Sequence, residues 1–558
     1  MRMAAITRKK SLKRIAIIAG AVLFLLLASL FVFAEFYLGP ALRKRLHTLI
    51  IDGSDSLYTY KIGSLNASLL GGRVDVSGLE ISVDSTHYNL LKAKNSLPAL
   101  VMQLNVQQAR IKGINIFSFI FNKKIFIDEI FSGDADLELL RFANKKDTIV
   151  VKDAPPLWKA IGSKIKDVQV GSIKLDGIKL LYKNAEGSKA AKLQFDRCDA
   201  LFQNIRIDSA SIADTSRIGY VENFSFRLND LKFRTNDSAY KLKAEWITYN
   251  SAQRLLTIDS FKLQPTLKKE ERIDSLRKSW YTATFDKVFF MGLRLDRFLR
   301  LNRAEADSVV LQSPQLSIYQ DKSGLRSYKS KIGDYPHQKL LQADAVIDIK
   351  KLIAHNMQVE ILEKQEETGE EGRIDLTDLE VSVANIINDP KLISRNAVAT
   401  AEATGKIIGS PLQASFRFYL DSAEGKFDVR GRLQNVTAVQ INPISTTLAN
   451  VEIPSAQIEA INFFVRGQDF AATSDVQMKY SNLSVVFLKR DKETGSNSTR
   501  KFLTNLLNKF AIYTSNPTSG AERRADGVKV ARLTTQSFFG VIWQAVFAGM
   551  QKIILKSD

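Results

Sequence analysis

The sequence predicts a mainly β protein: an N-terminal transmembrane helix, then an elongated, curled, repeat-built β-sheet with a groove-like face, then C-terminal helices. Three observations carry that prediction. Apolar and polar residues alternate with period two over most of the chain, as in "RVDVSGLEIS" (73–82), the mark of strands with one apolar and one polar face. One strand pattern recurs at a near-constant distance. One long uncharged apolar run stands near the N-terminus. With 558 residues the chain is too long for a single core, so several domains or an extended repeat are expected.

The elements follow in chain order. Residues 1–14 form a basic tail carrying Arg2, Arg8, Lys9, Lys10, Lys13 and Arg14. Residues 15–34, IAIIAGAVLFLLLASLFVFA, are long enough to cross one hydrocarbon core, at about 1.5 Å per residue. A basic flank before the span places the N-terminus in the cytoplasm and the body of the chain on the other side. A signal peptide cleaved after Val32-Phe33-Ala34 is the alternative, and it also exports the body.

Residues 35–235 and 236–415 then read as two tandem units. Gly113 to Leu140 lies without gaps on Gly292 to Tyr319, 179 positions on, with Gly113, Phe119, Asp128 and Leu137 matched by Gly292, Phe298, Asp307 and Leu316. "VQVGSIKLDGIKLLYK" (168–183) lies on "IDIKKLIAHNMQVEIL" (347–362) at the same offset. "LQFDRCDALFQNIRID" (193–208) lies on "IDLTDLEVSVANIIND" (374–389) at 181, and the stretches opening with Val74 and Leu256 match at 182. A period of this length marks a stacked repeat. Within each unit a smaller module reads strand, two turn-prone residues, strand. Its turn pairs are Gly133-Asp134, Asp176-Gly177, Gln312-Ser313 and His355-Asn356, read as two-residue hairpins.

The matching places in that module put Leu137, Leu139, Leu180, Leu316, Ile318, Val359 and Ile361 on one inner face. Residues 416–500 continue as strands, ending in the polar stretch KRDKETGSNSTRK (489–501), read as an exposed loop. Residues 501–558 turn helical. Phe502–Phe510 is a first helix and Gln536–Leu555 a second, with Phe538, Phe539, Ile542, Trp543 and Phe547 among its apolar residues. Its uncharged run of 13 residues, Phe538 to Met550, is too short to span a bilayer. It either lies against a second membrane or plugs the end of the apolar face.

Chemistry is harder to find. The four histidines are scattered, and no metal, nucleotide or nucleophile motif occurs, so no enzyme, metal or cofactor is expected. Asp134, Asp136 and Glu138 share one strand face and read as solvent-facing. One cysteine, Cys198, allows no intrachain disulfide. The formal charge of +20 suits an anionic lipid surface. Nucleic acid is not expected, because no basic run is interleaved with stacking aromatics.

This organisation resembles the AsmA-like family, relatives of AsmA and TamB in the envelope of Gram-negative bacteria. The resemblance rests on the basic N-terminus with one span and on "YKIGSLNASLLGGRVDVSGLEISVD" after it. It rests also on modules such as "ADSVVLQSPQLSIYQDK", and on "MKYSNLSVVFLKR", Asn516-Pro517 and "RLTTQSFFGVIWQAVFAGM" at the end. It implies a single-pass inner-membrane protein whose bulk is periplasmic. It implies also a β-groove that binds membrane phospholipid or transfers it between inner and outer membranes. Two other readings stand beside it: a packed β-structure with no ligand, and a non-enzymatic assembly factor acting on outer-membrane proteins through protein partners.

Overall fold

A computed structural model describes residues 50–556, apart from 142–164, 185–191, 270–278, 323–328, 491–496, 500–511 and the shorter stretches 52–53, 55, 69–71, 95, 99, 166, 212–213, 215–216, 236–238, 366–368, 450 and 519. The expected basic tail and span (1–34) and the expected helix at 502–510 lie outside these residues. Among the described residues no helix is long and apolar enough to cross a membrane.

The protein is mainly β and divides into two compact units, Met1–Phe261 and Lys262–Asp558. The first holds β1 (Tyr58–Ser68), β2 (Arg73–Val83), α1 (Ser85–Ala93), β3 (Leu100–Lys112), α2 (Ile116–Asn122), β4 (Lys124–Arg141), β5 (Asp167–Asn184), β6 (Lys192–Ile207), β7 (Asn223–Arg234) and β8 (Tyr240–Asn250); β9 (Leu255–Pro265) runs across the division. The second holds β10 (Ser279–Met291), α3 (Leu295–Leu301), β11 (Arg303–Gln312), β12 (Gln315–Asp321), α4 (Pro336–Leu341), β13 (Val346–Lys364), β14 (Glu371–Ile387), α5 (Pro390–Ile393), β15 (Val398–Ile407), β16 (Ser410–Tyr419), β17 (Phe427–Thr437), α6 (Ala438–Ala449), β18 (Val451–Gly467), β19 (Ala471–Arg490), β20 (Asn497–Thr499), β21 (Arg524–Ala531) and α7 (Phe538–Ile554).

Most neighbouring strands pair antiparallel, but β4 and β5 pair parallel, as do β11 and β12 with β13. That overturns the hairpin reading. Gly133-Asp134 and Asp176-Gly177 lie inside single strands of 18 residues. His355-Asn356 lies inside β13, a strand of 19 residues. At Gln312-Ser313 the chain kinks from β11 into β12, and both halves keep the same parallel partner. A two-residue hairpin would reverse the chain, whereas a parallel neighbour requires a long crossover. The chain between the paired strands, from Arg141 to Asp167 and from Asp321 to Val346, is long enough for one. The same residue types suit both outcomes, because each supplies one residue in the left-handed region, Asp134, Gly177, Ser313 or Asn356, as a hairpin turn or a bulge requires. The polar stretch 489–501 is also not wholly loop: Leu488–Arg490 pairs with Asn497–Thr499.

The repeat is written in backbone geometry more deeply than in letters. Left-handed residues recur in matching places: Gly113 and Gly292, Lys123 and Asn302, Asp134 and Ser313, Gly177 and Asn356, Asn204 and Asn385. β5 shifts register against β6 at Leu175, Ile178 and Leu180. β13 shifts against β14 at Ala354, Met357 and Val359, each 179 positions on.

Candidate functional site: the apolar sheet face

Alternation puts every second side chain of a strand on one face, and register lines these up across strands. In the first unit one such row runs Tyr60, Ile81, Leu104, Leu137, Leu180, Phe195, each paired with the next. A second row runs Met102, Leu139, Tyr182, Leu193, Phe233. In the second unit Ala283, Leu316, Val359, Leu376 and Ile407 form one row, and Tyr281, Ile318, Ile361 and Ile374 the next. Each of the seven expected inner-face residues sits in one of these rows.

Their exposure separates them. Leu137 and Leu139 are 4% and 2% exposed and belong to a closed cluster with Ile81, Leu104, Val106 and Ala135. Leu180, Leu316, Ile318, Val359 and Ile361 all remain partly open to solvent, and Tyr281 at the row's end is 44% exposed. Over β10–β15 the apolar rows are therefore flanked by neighbours yet reachable.

Towards the C-terminus the same face becomes a core. Val429, Val465 and Val476 on β17, β18 and β19 are at most 1% exposed, and α7 packs on β18, β19 and β21. An aromatic group closes this end. Tyr335 meets Phe427 and Phe538 edge to face at 5.2 and 5.4 Å, and Phe538 also contacts Phe416 and Phe418. Tyr335, just ahead of α4, is fully buried. Its hydroxyl donates to the Gln468 carbonyl at 2.9 Å, and burial pushes its pKa up to about 12. The guanidinium of Arg532 lies over its ring at 4.2 Å and pairs with Asp469 at 3.3 Å, both side chains nearly inaccessible. Neighbouring His337 is 3% exposed, and neither ring nitrogen makes a hydrogen bond of standard geometry. Burial lowers its pKa to about 4, partly offset by the Gly425 backbone and Asp469. Sequence reading missed this group. The proline at the first position of α4 was an available signal for a helix start, but nothing in "DYPHQKLL" tells that Tyr335 packs on Phe427 and Phe538 and His337 on Phe418.

The polar face is dressed with ion pairs between neighbouring strands: Lys179 with Asp136 at 3.6 Å, Lys183 with Glu138 at 2.8 Å and Lys406 with Asp378 at 2.8 Å. Asp134 and Asp136 are exposed and Glu138 is partly exposed, opposite buried Ala135, Leu137 and Leu139. A depression of about 610 Å³ crosses β2–β6. On each strand its lining takes one residue of the Ile81–Phe195 row and both its neighbours, among them Gln103, Asp136, Glu138 and Lys179. Neighbours in a strand point to opposite faces, so the lining combines the apolar row Ile81–Phe195 with the residues on either side of it. Among the described residues no cluster of His, Cys, Asp and Glu could hold a metal ion. Cys198 is partly buried, which raises its pKa to about 11, far from a reactive thiolate.

The C-terminal candidates divide by face. Phe538 and Ile542 are buried; Phe539, Trp543 and Phe547 are exposed. Compared with protein-family models the chain matches none, and compared with curated proteins it has no match.

Proposed function

We propose that the chain is a membrane-anchored protein of a bacterial envelope whose reachable apolar rows hold phospholipid acyl chains and pass them between the inner and outer membranes. The observation that carries this reading is the in-register row Ala283–Leu316–Val359–Leu376–Ile407, apolar on every strand and partly solvent-exposed on each. A sheet face with no ligand gains about 25 cal/mol for every Å² of such surface it covers, so continuous apolar rows left reachable call for an occupant. Five strands about 4.8 Å apart span about 19 Å, the length scale of an extended acyl chain. The two rows of the second unit carry no charged side chain, so they suit acyl chains as a class.

The test is photo-crosslinking in cells fed radiolabelled phosphate. A benzophenone side chain at Leu316, Val359 or Ile361 should take up labelled lipid. The same probe at Ser317 or Glu360, one residue away on the polar face, should not. Equal labelling at both sets, or none at either, would sink the proposal.

A further inference from the structure

The last helix has two apolar stripes, and its packing uses one. Val541, Ala545, Val546, Gly549 and Ile553 face the sheet and are buried. The Ser474 hydroxyl donates to the Ala545 carbonyl at 2.7 Å and pins that side down. On the other side Phe539, Trp543 and Phe547 follow at four-residue spacing and are 69%, 63% and 44% exposed. Trp543 and Phe547 stack at 5.8 Å, so two of the three rings form one aromatic surface. Two more exposed apolar residues lie in or beside the segment that leads into the helix. Leu533 is 68% exposed, and Phe470, whose carbonyl accepts from the Arg532 N–H at 2.9 Å, is 62% exposed.

We propose that this stripe docks on the surface of an anionic phospholipid bilayer. Charge argues for that occupant. From Gly527 to Lys556 the chain has no acidic residue; Arg532 is paired with buried Asp469, and Lys529, Lys552 and Lys556 are exposed. Aromatic side chains with a cationic surround suit the headgroup boundary. At 17 residues α7 is about 25 Å long, and one side is already committed to the sheet, so it lies on a membrane and does not cross it. The proposal stands on this helix alone and does not depend on what the apolar rows carry.

The test uses the full chain held in amphipol and vesicles of phosphatidylglycerol with phosphatidylcholine, their acyl chains brominated. Emission of Trp543, taken as the difference between the wild type and Trp543→Phe, should be quenched on mixing. Quenching should fade with pure phosphatidylcholine and in salt concentrated enough to screen charges over a few ångströms. The variant Phe539→Ser/Trp543→Ser/Phe547→Ser, all at exposed positions, should keep its thermal transition and lose vesicle affinity at least about tenfold. Unquenched Trp543 in the wild type, unchanged affinity in the triple variant, or a self-association that the triple variant abolishes would each overturn the proposal, the last by making the stripe an interface between copies. Crosslinking at Val359 in the triple variant reads the lipid-carrying proposal separately.

Discussion

Gly113 and Gly292 show at the residue scale how a repeat survives with few shared letters. Both hold φ of +69°, and a Cβ on either would overlap a carboxylate, Asp128 in one case and Asp307 in the other. Only glycine meets both conditions at no cost. Gly113→Ala and Gly292→Ala should each destabilise by about 1–3 kcal/mol, read from denaturant midpoints. Asp307→Ala should recover part of the Gly292→Ala loss by removing the overlap, but not the part due to φ. His337 makes a second residue-scale case. Its folded pKa, about 4, lies below the ordinary 6.5. The unfolded chain therefore takes up a proton first as pH falls. Stability is complete above about pH 6.5 and is lost between there and pH 4, by at most about 3 kcal/mol. Hydrogen exchange of β17 and β18 amides should quicken over that window. In His337→Leu, which has nothing to protonate there, most of the quickening should vanish.

The element that changes most between sequence and structure is the long bent strand. β4, β5 and β13 run through the points where a turn was expected, because a left-handed residue can bend a strand as readily as end it. The matched bends in β5 and β13 keep the apolar rows in phase with their neighbours; a bend in one strand alone would turn half its residues to the wrong face. The helix α7 has one apolar face buried against the sheet and one exposed. Its buried face is structural. Deleting residues 536–558 would uncover Val465 and Val476, both at 0% exposure, together with their neighbours on β18, β19 and β21. The truncated chain should aggregate, as seen by light scattering, whereas the triple stripe variant should remain monodisperse.

For the whole molecule the question is where the apolar face is core and where it is accessible. The same substitution at matching repeat positions separates the two. Leu137 sits in a closed cluster, so Leu137→Asp buries an unpaired charge and should cost several kcal/mol, enough to abolish cooperative unfolding of the first unit. Leu316, its counterpart 179 positions on, is partly exposed. Leu316→Asp should shift the thermal midpoint by only a few degrees while abolishing lipid crosslinking at Val359. Equal destabilisation by both changes would make the second unit's rows core as well.

Period-two alternation made the strands legible in the sequence, because it depends on neighbours within a few residues. Leu316, Ile318, Val359 and Ile361, expected on one face from that local pattern, lie in register across β12 and β13. Strand direction was not legible. Asp176-Gly177 reads as a hairpin, and only pairing of β5 with β4 along 43-residue separations such as Lys124 with Asp167 makes it a bulge inside one strand. Exposure was not legible either. Leu137 and Leu316 occupy the same place in the module, and what differs is how other elements pack around them. The partition of Phe538 from Phe539, one buried at 7% and the other 69% exposed, was likewise decided by docking α7 on β18, β19 and β21. Alternation says which side a residue faces; whether that side is covered depends on contacts between segments far apart in the chain, and these exist only in the folded molecule.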